Sequence, residues 1–432
     1  MLEKSKNFLN IKGLSWRLDS WRRYEALQQP SYPCSETLLK VREELRSSPS
    51  LVDVESVRRL KAWFLKAQKG QAFILQGGDC AEDFSKNSVA YVHGQCQLLT
   101  QLAETLEQYL PHPVVKIGRI AGQYGKPRTL DKELNPKTGE QQWAFRGHNI
   151  NSEKSCVLAR TPDPERMLEG YKGSLKAMQW IAEFLEENAE PLAQSEIFTS
   201  HEGLLLDLES AQTKYNTQDQ VHYNQSSHMQ WIGERTRHLG GAHIEYFRGV
   251  GNPIGLKVGA DSNPSDIVET IMRLNPYYHS GRIMLITRMG AQKVRVALPA
   301  LIEKVQQAHL PVLWSCDPMH GNGQVNAMGV KTRVFEDLWS ELKSCFDIHQ
   351  EMDSHLSGVH LEMTHEPVTE CVKQQEIVLA PDYRSLCDPR LNALQAQNLV
   401  NCFVDHYQDD RRHSLYQARK IQASHGSSIL NI

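Results

Sequence analysis

Four side chains far apart in this 432-residue chain share one chemical aptitude: Cys80, His320, Glu362 and Asp388. A thiolate, an imidazole and two carboxylates suit a divalent first-row transition ion and leave room for a water or a substrate oxygen. Taken singly, each has a commoner reading. A cysteine after Gly-Gly-Asp, for example, is usually a small buried residue. Taken together at the ends of strands, they favour a metal site, provided the fold gathers them.

A second set is cationic: Arg119, Lys126, Arg128, Arg235, Lys257 and Arg288. Arginine forks match phosphate and carboxylate oxygens in pairs. Lys257 stands among Ile254, Leu256 and Val258, and an unpaired ammonium in such a strand is costly. Its ordinary reading is a structural ion pair, with Glu234 as the candidate partner. Five other cations share its position at strand ends, so an anionic substrate is the stronger reading. The ligand expected is small, polyanionic and phosphate-bearing. The stretch 122–129, GQYGKPRT, could hold a second phosphate through backbone N–H groups, Lys126, Arg128 and Thr129. Alone, such a stretch is more often a solvated basic loop.

What must position these groups is a recurring pattern. In 311–323, PVLWSCDPMHGNG, an apolar run stops at Asp317, His320 and turn residues. Seven other short apolar runs end in the same manner, at 72–76, 114–117, 196–199, 229–232, 255–258, 283–287 and 358–363. Helix-length segments lie between strands, among them 89–109, 165–187, 292–308 and 328–346. Strands alternating with helices imply parallel pairing, and eight units imply a TIM (β/α)8 barrel with chemistry at the strands' C-terminal ends. The expected organisation is a helical N-terminal extension over 1–70, a catalytic barrel over 71–410 and a tail over 411–432. In the extension, Trp16, Trp21, Tyr24 and Leu27 have roughly helical spacing, and 54–68 reads as an amphipathic helix. Residues 121–160 read as a long functional loop and 380–392 as a second polar loop. His201 and Glu202 read as capping or supporting groups, and His228, His238 and His243 as structural residues around a helix start. Cys316 and Cys387 adjoin the expected site without an assigned role.

Composition narrows the classes. A formal net charge of −3 offers no global basic field for nucleic acid. No apolar run approaches a membrane span, and the N-terminus lacks the apolar core of a secretory signal. Nine cysteines at irregular spacing argue against a disulfide scaffold, and a reducing cytoplasm is expected.

Several blocks resemble the class II 3-deoxy-D-arabino-heptulosonate-7-phosphate (DAHP) synthases: QGGDCAE (76–82), KIGRIAGQYGKPRT (116–129), TSHEGLLLD (199–207), GERTR (233–237), GNPIGLKVG (251–259), TRMG (287–290), WSCDPMHGN (314–322), GVHLEMT (358–364), VTEC (368–371) and CDPRLN (387–392). The resemblance implies a metal-dependent barrel, with Mn2+ or Co2+, that condenses phosphoenolpyruvate with erythrose 4-phosphate at the first step of the shikimate pathway. It implies Cys80, His320, Glu362 and Asp388 as metal ligands. Arg119, Glu234, Arg235, Lys257 and Arg288 would meet phosphoenolpyruvate, with Glu234 and Lys257 catalytic. Lys126, Arg128 and Thr129 would meet erythrose 4-phosphate. It further suggests a homo-oligomer, dimer or tetramer. Gly125 stands where the family usually has Ala, and His148 where it often has Asp. The interval 167–195 has room for one helix where longer members carry an additional helical pair tied to aromatic inhibition. That matches a shorter subgroup associated with secondary metabolism and implies weak or absent feedback by Phe, Tyr or Trp. The competing readings are a metal-dependent pyruvate aldolase, disfavoured by the number of cations, and a non-catalytic phosphosugar-binding barrel, which would have lost a site position.

Overall fold

Eight short strands close into a parallel barrel in the computed structural model, which describes residues 10–11, 14–135, 138–188, 196–374 and 382–426. They are β1 (Phe73–Gly78), β2 (Val114–Arg119), β3 (Ile197–Glu202), β4 (Met229–Ile232), β5 (Ile254–Gly259), β6 (Ile283–Arg288), β7 (Val312–Cys316) and β8 (Leu356–Glu362). Each pairs with its chain neighbours, and β8 returns to β1. The expected (β/α)8 barrel is present.

The period-two alternation of each strand sorts side chains into two cores. Ile74, Val115, Ile117, Phe198, Met229, Trp231, Met284, Ile286 and Leu313 fill the barrel interior. Their sequence neighbours, such as Leu75, Val114, Leu256, Leu285 and Leu361, face the surrounding helices. A barrel interior of this kind is a packed core, so only its C-terminal mouth is left for chemistry.

Helices follow the strands in turn: α3 (Val89–Glu107), α4 (Arg166–Glu187), α5 (Leu206–Ala211), α6 (Ala242–Phe247), α7 (Pro264–Leu274), α8 (Val294–Gln307), α9 (Phe335–Glu351) and α10 (Ala393–Gly426). Their starts follow local chemistry. Asn263 accepts the Ser265 N–H ahead of Pro264, whose missing N–H and fixed φ suit a first helical position. Two helices precede the barrel, α1 (Ser35–Ser47) and α2 (Val54–Gln68). Asp53 caps α2 by accepting the Ser56 N–H at 2.7 Å. Leu60, Phe64 and Ala67 of α2 are fully buried in the interior cluster, so this helix plugs the end of the barrel opposite the mouth. Burying the Leu and Phe contributes about 1.5–3 kcal/mol each.

Four expectations change in detail. Residues 16–27 form one 3-10 turn, Ser20–Arg23, and not an amphipathic helix. Glu245 anchors the segment instead: the Trp16 indole donates to its carbonyl at 2.9 Å, and the Ser20 hydroxyl to its Oε1 at 2.7 Å. The helix expected at 328–346 begins only at Phe335. Gly329 turns the chain at φ 76°, and Lys331–Val334 form a strand between Gln324–Val325 and Cys371–Val372. His228 precedes β4 and accepts the Thr199 N–H at 2.8 Å, so it serves a strand and not a helix start. The tail expected from residue 411 starts inside α10, which continues to Gly426; residues 427–432 lie outside the described residues.

Candidate active site

The register of the barrel brings its terminal residues to one level. Gly78 lies opposite both Arg119 and Glu362, and Gly259 opposite Arg288. Above this rim lies a cavity of about 850 Å3. Its walls include Arg119, Lys126, Arg128, Thr129, Glu234, Arg235, Lys257, Arg288, His320 and Asp388. Cys80 and Glu362 are buried against these residues. Every residue expected at the site therefore stands at this mouth.

The donor set has the geometry of a cation site. The ligand atoms of Cys80, Glu362 and Asp388 lie within 4.8 Å of one another. The Lys126 ammonium is 3.1 Å from Cys80 Sγ, 3.3 Å from Glu362 Oε1 and 2.8 Å from Asp388 Oδ2, so the three donors already converge on a positive charge. His320 is outside that mutual 4.8 Å group, but its Nε2 is 3.0 Å from Glu362 Oε1. Its Nδ1 is 2.7 Å from Asp317 Oδ2, which directs Nε2 toward the carboxylates as supporting carboxylates do for metal-bound histidines. Thiol, imidazole and carboxylates in this arrangement fit a divalent ion. Burial pushes the Cys80 thiol well up, so a thiolate there needs a nearby cation.

Glu362 is the hub. Besides Lys126 and His320 it meets Arg119 at 3.1 Å and Arg333 at 2.7 Å, all at a fully buried position. Burial would raise its carboxyl, but His320, Lys126, Arg333 and Arg119 hold it well below the usual carboxylate range. Burial likewise lowers the Lys126 ammonium, but Asp388, Cys80 and Glu362 outweigh it and hold it above the usual range.

Arg119 is tightly engaged. It donates to the Asp79 and Cys80 carbonyls at 2.9 and 3.1 Å and lies 2.7 Å from His360 Nε2. A guanidinium only donates, so His360 Nε2 accepts and Nδ1 carries the proton toward Gln76 Oε1 at 2.7 Å. Burial, with Lys257 and Arg119 nearby, keeps that imidazole neutral by pushing it well below its usual value. Lys257 pairs with Asp317, not with Glu234 as its ordinary reading suggested; Glu234 pairs with Arg288. Arg288 also donates to the His320 carbonyl at 2.6 Å. Gly259 lets Glu234 approach the end of β5, since a Cβ there would stand 2.1 Å from its Oε1. At the exposed rim, Arg235 donates to Thr129 Oγ1 at 3.1 Å.

The loop bearing Lys126, Arg128 and Thr129 is held from two sides. Glu82 accepts the N–H groups of Ala121, Gly122 and Gln123 at 2.9, 2.8 and 2.7 Å. Gln28 accepts the Arg128 N–H at 2.9 Å and donates to its carbonyl at 3.1 Å. His148 packs on Phe84 and Phe145 and lies 3.4 Å from Asp83. Cys387 packs beside Cys80.

Sequence reasoning missed Arg333 and Arg390. Arg333 was hidden inside the expected helix, whereas the observed strand turns it onto Glu362. Arg390 pairs with Asp79 at 2.6 Å and Glu370 at 2.8 Å and so anchors the loop that presents Asp388. Its place in CDPRLN, two residues after a candidate ligand, was the available signal.

Comparison with known proteins bears on the family. A family model described as the class-II DAHP synthetase family matches residues 16–194 and 184–404. A phospho-2-dehydro-3-deoxyheptonate aldolase of Streptomyces coelicolor is 37% identical over 439 residues, covering 90% of this chain and 97% of the relative. A protein of the same name from Neurospora crassa is 36% identical over 467 residues, covering 94% and 97%. With its closed barrel and with matches of this extent, the chain belongs to the class-II DAHP synthetase family.

Proposed function

We propose that this chain condenses phosphoenolpyruvate with erythrose 4-phosphate and water to give 3-deoxy-D-arabino-heptulosonate 7-phosphate and phosphate. The observation that carries the reading is one cavity lined by Arg119, Lys126, Arg128, Arg235, Lys257 and Arg288 and floored by the Cys80–Glu362–Asp388 group. Cys80, His320, Glu362 and Asp388 would hold the divalent ion, Mn2+ or Co2+, which when bound supplies Lewis acidity toward a carbonyl oxygen.

The protein's own residues do the rest. Arg235, Lys257 and Arg288 bind the phosphate of phosphoenolpyruvate, and Arg119 and Lys257 lie toward its carboxylate. Lys126, Arg128 and Thr129 bind erythrose 4-phosphate. Two polyanions repel one another, and this array of cations offsets that repulsion before reaction. The enol carbon C3 then attacks the aldehyde carbon, whose C=O π pair moves onto the oxygen; that oxygen takes a proton to become the new hydroxyl, and the proton lost by the attacking water replaces it. Water adds to the cationic C2 and gives its proton to Glu234. The C2–O bond to phosphate breaks last, which restores a carbonyl at C2. Phosphate release measured with both substrates, with and without divalent metal, tests the reaction. Chelation is expected to abolish turnover, and added Mn2+ or Co2+ to restore it. Persistence of full activity in chelator would refute the assignment.

Regulation follows the shorter subgroup in the same proposal. The interval between β2 and β3 contains one long helix, α4, and residues 189–195 lie outside the described residues. Inhibition by Phe, Tyr or Trp is expected to be weak or absent, and clear inhibition at physiological concentration would overturn this. A homo-oligomer, dimer or tetramer, belongs to the proposal too, to be read by light scattering. Among the described residues no helix is long and apolar enough to cross a membrane.

A further inference from the structure

We propose that Glu341 of α9 is the positioning residue that joins the Arg288 loop and the His320 loop into one clamp, so that one buried carboxyl sets how well both phosphoenolpyruvate and the divalent ion are held. This rests on the synthase reading above. Glu341 is 1% exposed and lies behind the site, touching neither cavity nor donor set. Its Oε1 accepts the Met289 N–H at 2.7 Å, one residue past Arg288. Its Oε2 accepts from Asn322 Nδ2 at 2.7 Å, two residues past His320.

Asn322 completes the tie. Its Oδ1 accepts the Ala291 N–H at 2.9 Å, and its Nδ2 also donates to the Pro318 carbonyl at 2.8 Å. The two loop backbones then meet closely: a Cβ on Gly321 would stand 2.3 Å from the Gly290 nitrogen, and Gly290 sits at φ +82°. Only glycines permit both the contact and the left-handed backbone. Burial, with Asp317 nearby, pushes the Glu341 carboxyl up to about 8, while the Met289 and Gly290 N–H groups act against that rise. The Lys126–Thr129 loop has separate anchors in Glu82 and Gln28. The clamp therefore serves one substrate and the ion, and not the other substrate.

The test is steady-state kinetics together with Co2+ titration of the full chain in E341A, N322A, E341A/N322A and E341Q. In E341A, KM for phosphoenolpyruvate is expected to rise about ten-fold and Co2+ to bind about ten-fold more weakly, with KM for erythrose 4-phosphate changed by less than about three-fold. N322A shifts the same two quantities, and the double variant is no worse than E341A, because the two residues form one connection. E341Q keeps an oxygen for Met289 and falls between wild type and E341A. A residue that only supports the fold would lower the melting temperature with both KM values and Co2+ affinity unchanged. That result, or an equal rise in both KM values, overturns the clamp. If E341A does not fold, N322A decides by the same criteria. Wild-type chain that bound Co2+ without turning over would sink the synthase reading, while Co2+ binding by N322A would still decide the clamp.

Discussion

Replacing Glu362 with alanine is expected to cost about 3–5 kcal/mol of folding stability and essentially all turnover. The loss comes from what remains. Arg119, Arg333 and Lys126 are nearly fully buried, and Glu362 is the carboxylate on which all three converge, with His320 beside them. Removing one partner of a buried ion pair is worse than replacing both by apolar groups, because the remaining charge has neither water nor a partner. Glu362→Gln keeps the volume and an acceptor for Arg333 but not the charge, so its stability is expected to lie between the two. The sign of the pH dependence is fixed by the lowered carboxyl. Its contribution is fully present above the carboxyl's unfolded range and is lost as pH falls toward the folded value. The stability gap between wild type and Glu362→Gln should therefore narrow on acidification. Denaturant unfolding in chelator at neutral and acidic pH measures both effects. A loss under about 1 kcal/mol for Glu362→Ala would mean that other groups balance these cations.

Lys257→Ala is expected to lower kcat/KM for phosphoenolpyruvate by about 10²- to 10⁴-fold, with little change in fold. Hydrogen bonds to charged groups are worth roughly 1.5–3 kcal/mol each, and Lys257 faces both the phosphate and the carboxylate of this substrate in the proposed pose. Asp317 retains His320 as a partner at 2.7 Å, so the carboxylate is not left unpaired by the substitution. Burial brings the Lys257 ammonium down to about 8, with Asp317 raising it and Arg119 lowering it. The charged form binds the anion, so kcat/KM should fall by up to about ten-fold per pH unit above that value. Lys257→Ala should lack this alkaline limb. Near-normal turnover, or an unchanged limb in the variant, would remove Lys257 from the chemistry.

Much of this site was legible before any fold was known. The recurrence of apolar runs ending in polar residues identified the strands, because a buried parallel strand must be nearly all apolar until it reaches the mouth. Cys80, Arg119, Arg288 and Glu362 could be picked out because they interrupt or end such runs. The long motif blocks added the family. Local pattern failed where distant partners decide conformation. Lys331–Val334 look helical beside α9 but pair with Gln324–Val325 and with Cys371–Val372, and that pairing turns Arg333 toward Glu362.

By itself, then, the order of residues determined the eight-unit alternation, the identity of the acids, thiol and cations at the strand ends, and the family. Tertiary structure alone decided who pairs with whom: Lys257 with Asp317 and not Glu234, Lys126 among three donors, and Glu341 between two loops. Strand periodicity is a short-range property written along the chain. The partner of a buried charge is set by barrel closure, which brings residues hundreds of positions apart within hydrogen-bond reach.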